Sequence, residues 1–137
     1  MKFFAPAAAV AAVAGMLSMA APASAAEQHR TVTVNEHDNH ATITVHKGDR
    51  IRVVLHNTYW SIERAHGHAL KARGPQKTAG QMGAGCIPGA GCGTVTRTFI
   101  ADHRGTARLV AGRTTCGEAM RCTGDQGSFR VTIHVVR

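Results

Sequence analysis

Apolar and polar residues alternate with a period of two along most of the chain, the spacing of a half-buried strand. In Arg30–Val34 the two valines share a face, and in Ala41–Val45 the odd positions are apolar while the even ones are threonine. Asp49–His56 sets Ile51, Val53 and Leu55 on one side. Thr94–Ala101 does the same with Val95, Phe99 and Ala101, interrupted by Arg97. Ala107, Leu109 and Ala111 align within Thr106–Ala111, and Phe129, Val131, Ile133 and Val135 within Ser128–Val136. Clusters of turn formers separate these runs at 36–39, 47–49, 102–105 and 124–127. Valine and threonine suit a pleated surface with one buried face, and no segment after the first 26 residues carries a helical period. Six or seven short strands of this kind predict an all-β, antiparallel two-sheet sandwich.

One region breaks the pattern. Residues 64–93 are rich in Gly, Lys, Arg and Gln, with room for one short strand near His68–Ala72. Loops of that length are uncommon within a compact domain and are usually functional or disordered. A long, mobile connection is therefore expected here.

The first 25 residues differ from all that follows. Lys2, an Ala/Val/Leu/Met stretch and the small triplet Ala23-Ser24-Ala25 have the form of a secretory signal, with cleavage expected after Ala25. A retained anchor helix is the alternative, since the apolar run approaches membrane-spanning length. Prolines at 6 and 22 and the small-residue triplet favour removal. Residues 26–137 then form one secreted domain with no later membrane-spanning run, and a monomer is expected. That domain carries 15 basic against 8 acidic residues, a net charge of +7.

Export makes disulfides the default reading of the four cysteines. Cys86 and Cys92, and Cys116 and Cys122, are each separated by five residues. Three connectivities are possible; the repeated spacing and the Gly/Pro content of the first segment favour the two local pairs. A four-cysteine zinc site is the rival, but paired zinc ligands prefer two to four intervening residues.

The order of elements resembles the chagasin-like cysteine-peptidase inhibitors. Val45-His46-Lys47-Gly48-Asp49 followed by a strand and then Asn57-Thr58-Tyr59-Trp60 is similar to the front half of that family. The Gly-rich loop, Thr98-Phe99-Ile100-Ala101 with Gly105, then Ala111-Gly112-Arg113 and Phe129-Arg130-Val131 are similar to the back half. The resemblance covers roughly residues 40–136 and implies an immunoglobulin-like sandwich that presents three loops to the cleft of a papain-type enzyme. The implied partner-binding positions are Asn57, Thr58, Tyr59 and Trp60, then Gly83, Ala84 and Gly85, then Arg113. The family's first loop also has a Pro and a Gly that this chain lacks, and its third has an aromatic where Thr114-Thr115-Cys116 stands. A non-inhibitory immunoglobulin-like module, binding an anionic cell-wall polymer or an extracellular protein, is thus the second expectation.

The remaining chemistry is sparse. Trp60 is expected in the core and Tyr59 near the surface, because adjacent strand residues face opposite ways. His66 with His68, or His37 with His40, could offer two ring nitrogens to copper or zinc, but neither pair has a third ligand nearby, so no metal or cofactor is expected. Arginines at outward positions such as Arg50 and Arg52 solvate a sheet face and blunt edge pairing. No basic helix or nucleic-acid motif accompanies them, which argues against a nucleic-acid partner. With both bridges formed there is no free thiol, and Ser61 and Ser128 lack a nucleophile context. An enzyme is not expected.

Overall fold

A computed structural model describes residues 28–137 apart from 82 and 84. Residues 1–25, expected to be a secretory signal, and Ala84 therefore lie outside the described residues. Eleven strands are present among the described residues: β1 Thr31–Val34, β2 Thr42–His46, β3 Arg50–His56, β4 Ser61–Ile62, β5 Leu70–Ala72, β6 Lys77–Gly80, β7 Gly93–Ala101, β8 Gly105–Gly112, β9 Thr115–Gly117, β10 Met120–Arg121 and β11 Ser128–Val136.

These strands build the expected sandwich. One sheet runs β1-β3-β7, and the far edge of β7 is shared by β5 and then β6. The other runs β2-β11-β8-β4, while β9 and β10 form a separate hairpin. Two edge pairings depart from a purely antiparallel arrangement: β1 lies parallel to β3, and β2 parallel to β11. The period-two pattern gives the face of a strand but not its direction, which the crossing of the chain from sheet to sheet decides.

The alternation maps onto burial. Ile51, Val53 and Leu55 of β3, Val95 and Phe99 of β7 and Val131 and Ile133 of β11 are fully buried between the sheets. Burying each such side chain contributes about 1.5–3 kcal/mol. Most of this core is aliphatic; Phe99, Phe129 and Trp60 are its aromatic members. Arg97, the odd residue of β7, points inward near the sheet margin. Its guanidinium donates to the carbonyl of Ile62 at 2.7 Å and lies 5.6 Å from the Phe99 ring centre.

Residues 64–93 are more ordered than a bare loop. The short strand near His68–Ala72 exists as β5, and β6 adds a second, paired with Thr96 to Gly93 of β7. Lys77–Gly80 is exposed throughout, so it has no apolar rhythm to reveal it. Its stability comes from backbone pairing at an edge. Between these strands Gln76 acts as a surrogate strand residue: its Oε1 accepts from the amide of Ile62 at 2.6 Å, and its Nε2 donates to the carbonyl of Trp60 at 3.1 Å.

Asp49 anchors the opposite end. Its carboxylate accepts from the Arg30 amide and Nε and from the His46 amide, at 2.9–3.1 Å. Burial pushes this carboxyl up, but the amides and the Arg30 guanidinium outweigh it and hold it below the usual carboxylate range.

Candidate functional site

The β3–β4 turn, the β6–β7 connection and the β8–β9–β10 segment meet at one end of the sandwich. Asn57, Thr58, Tyr59 and Trp60 form the first; Gly83 and Gly85 lie in the second; Arg113 opens the third.

Backbone geometry explains the sequence of the first loop. Asn57 adopts φ 111°, a region that asparagine enters more readily than most residues. Its amide donates to the Gly93 carbonyl at 2.8 Å and its Nδ2 to the Ala90 carbonyl at 2.9 Å. Its Oδ1 accepts from the Tyr59 amide at 2.9 Å. The Thr58 amide donates to Gly91, and the Tyr59 hydroxyl to Gly89, both at 2.8 Å. The first loop is thus laced to the segment closed by Cys86 and Cys92. Gly91 makes this approach possible: at φ 69°, a Cβ there would lie 2.7 Å from Asn57 Oδ1 and from the Tyr59 ring.

Trp60 and Tyr59 divide as expected, with Trp60 4% and Tyr59 39% exposed. The Trp60 indole donates to the His56 carbonyl at 3.1 Å and carries the Arg113 guanidinium 4.7 Å from its ring centre. Arg113 also donates from Nε to the Gln126 carbonyl at 2.7 Å. Asn57, Trp60 and Arg113 therefore hold the loops to the body and to each other. Gly83 and Gly85 are exposed, and the Gly83 carbonyl accepts from the Cys86 amide at 3.2 Å. Gly83 lines, with Thr58, Tyr59, Ile87 and Pro88, an open groove of about 470 Å³.

Both local disulfides are formed, Cys86–Cys92 and Cys116–Cys122, and each closes one of the loops at this end. The second and third loops approach each other as well: a Cβ placed on Gly89 would sit 3.8 Å from the Glu118 Cβ.

Two residues of this surface escaped the sequence reading. Among the described residues, the exposed large hydrophobics are Tyr59, Ile87 at 73% and Met120 at 59%. All three sit at the loop end, one on each loop. An isoleucine between Cys86 and Pro88 in a glycine-rich stretch, with no alternating partner to bury it, was the signal for Ile87. Of the histidines considered as ligands, His66 Nε2 lies 2.9 Å from Glu63 and His40 Nε2 2.8 Å from Asp125, so each faces a carboxylate.

No protein-family profile matches the chain, and no curated protein matches it. Solved structures do. The solution structure of amebosin superposes with a TM-score of 0.52 at 19% identity, covering 79% of this chain and 98% of that one. The crystal structure of the cysteine protease inhibitor EhICP2 from Entamoeba histolytica gives 0.56 at 12% identity, covering 81% of this chain and all of the other. At these identities the shared property is the fold. The chain has the immunoglobulin-like sandwich that the order of its motifs implied, and it shares that fold with both structures.

Proposed function

We propose that this protein is a secreted inhibitor of papain-type cysteine peptidases that fills the active-site cleft with the loop end of its sandwich. The observation that carries the reading is the placement of Tyr59, Ile87 and Met120, each on a different loop and all at the end braced by both disulfides. Exposed hydrophobics gathered on a rigid edge mark a surface that buries itself against a partner. Bracing beforehand removes much of the ordering cost of association. The fold shared with a cysteine protease inhibitor supplies the class of partner.

Within this reading the first-loop residues have separate tasks. Tyr59 contributes a contact surface, whereas Asn57, Trp60 and Arg113 position it. Ile87 and Met120 enlarge the contact on either side. No residue reacts with the enzyme; exclusion of substrate is enough. Export is supported by the form of residues 1–25 and by two disulfides, which persist in oxidising compartments.

Steady-state assays of papain with a small peptide substrate test this reading. Reversible inhibition at submicromolar protein, competitive with substrate, is expected. Full papain activity at tens of micromolar disulfide-intact protein would overturn it.

The second reading is a module that uses the same loop end on another extracellular protein. The commitment of the Asn57 side chain to Ala90 and Tyr59 favours it, because that side chain is then spent within the protein. Exchange of papain for secreted proteins in a binding assay distinguishes the two.

A further inference from the structure

The outer face of the β1-β3-β7 sheet is built largely from cations and threonines. On β3, Arg50 and Arg52 point outward and are exposed. Across the ladder Arg52 stands opposite Thr98, and Lys77 of β6 opposite Thr96. Arg73 joins them where its amide donates to the Thr98 carbonyl at 2.8 Å. Arg50, Arg52, Arg73, Lys77, Thr96 and Thr98 line an open groove of about 750 Å³, and its remaining lining residues include neither a carboxylate nor an aromatic. Among the described residues, the only arginine or lysine in an ion pair is Arg30, so these four cations face solvent without a counter-charge. Asp49, directly before β3, is buried and paired with Arg30, and Glu36 pairs with His56 at the far end of the strand.

We propose that this face is a binding site for an acidic polysaccharide. Positions two apart along a strand are about 6.6 Å apart and neighbouring strands about 4.8 Å, so the cations form a grid along an extended sheet rather than a cup for one small anion. A linear polymer with repeating sulfate, phosphate or carboxylate groups matches that grid. The threonine hydroxyls between the cations donate and accept, which suits sugar hydroxyls set between charged groups. Single-stranded nucleic acid is disfavoured because the groove lacks the aromatic platforms on which bases stack. This site is separate from the loop end: the two grooves share no residue, and one molecule holds a polymer and a peptidase together.

Titration with size-fractionated heparin as the probe tests this directly. The variant R50Q/R52Q/R73Q/K77Q is expected to lose about tenfold or more in affinity. The variant R104Q/R108Q/R130Q/R137Q removes the same charge from other exposed positions and is expected to lose less than about threefold. Equal losses would reduce the effect to overall basicity and overturn the site, as would the absence of heparin binding by the unaltered protein. Equal or tighter binding of polyglutamate or of a single-stranded oligonucleotide, lost in the same variant, would replace the polysaccharide and overturn the assignment. Thermal melts check folding; if the fourfold variant fails to fold, R50Q/R52Q and R73Q/K77Q are read separately and each must weaken binding. Papain inhibition should be the same in all of them, so failure of this site and failure of the inhibitor reading are told apart.

Discussion

The guanidinium of Arg113 lies 4.7 Å from the centre of the Trp60 ring, tying the third loop to the first through a side chain that is itself anchored to the His56 carbonyl. A cation–π contact of this kind contributes about 0.5–2 kcal/mol, and the solvent-exposed Arg113 bond to Gln126 adds about 0.5–1 kcal/mol. Arg113→Ala is expected to destabilise the domain by about 1–3 kcal/mol, lowering Tm by roughly 4–8 °C per kcal/mol. Arg113→Lys keeps the charge but not the planar fork and should fall between. Calorimetry of the two variants checks this.

Gly91 controls how closely the first two loops approach. In Gly91→Ala the new Cβ would stand 2.7 Å from Asn57 Oδ1 and the Tyr59 ring, and the backbone would keep an unfavourable φ. The strain and the displaced Asn57 and Tyr59 bonds should cost about 1–3 kcal/mol of stability and weaken inhibition about tenfold. Tyr59→Phe removes only the hydrogen bond to Gly89 and should cost about 0.5–1.5 kcal/mol of stability.

The disulfides should separate stability from function. Each closes a short loop, for which the chain-entropy estimate is about 2–3 kcal/mol. Replacing either pair by alanine should cost a similar amount on denaturant unfolding. Loss of Cys86–Cys92 frees the segment that carries Ile87 and that Tyr59 leans on, so it should weaken papain inhibition more than loss of Cys116–Cys122.

Asp49 sets an acid limit. Its folded carboxyl is held below the unfolded value of about 3.9, so its contribution is complete above roughly pH 5 and is lost as pH falls toward and through the folded pKa. In that window the unfolded chain binds more protons, and stability falls with pH. Glu36 titrates in the same sense: burial raises it, and the His56 ring and amide lower it further than burial raises it. Asp49→Asn should cost about 1–3 kcal/mol at neutral pH and flatten the stability profile between about pH 5 and 2. Urea midpoints across that range measure it.

Strand identity was legible where one face is buried, because Ile51, Val53 and Leu55 or Val131, Ile133 and Val135 must alternate with solvated neighbours. β6 was not, since all four of its residues are exposed and only hydrogen bonds to β7 define it. The parallel sense of β1 and β2 was hidden for a related reason: alternation is the same in either direction. At the loop end, Asn57, Tyr59, Trp60 and Arg113 were visible through a family resemblance, but their division of labour was not. That division depends on carbonyls of Gly89, Ala90 and Gln126, far away in sequence, whose backbone positions leave no trace in residue type. Ile87 and Met120 were overlooked because a hydrophobe outside an alternating run reads as incidental until its exposure is known.

The central claim, that the loop end enters a peptidase cleft, is tested most directly by hydrogen exchange of this protein with and without excess papain. Protection is predicted at amides 57–60, 86–92 and 115–121, with none gained along β3 or β7. Binding accompanied by protection confined to the outer sheet faces, with those three segments unchanged, would contradict it.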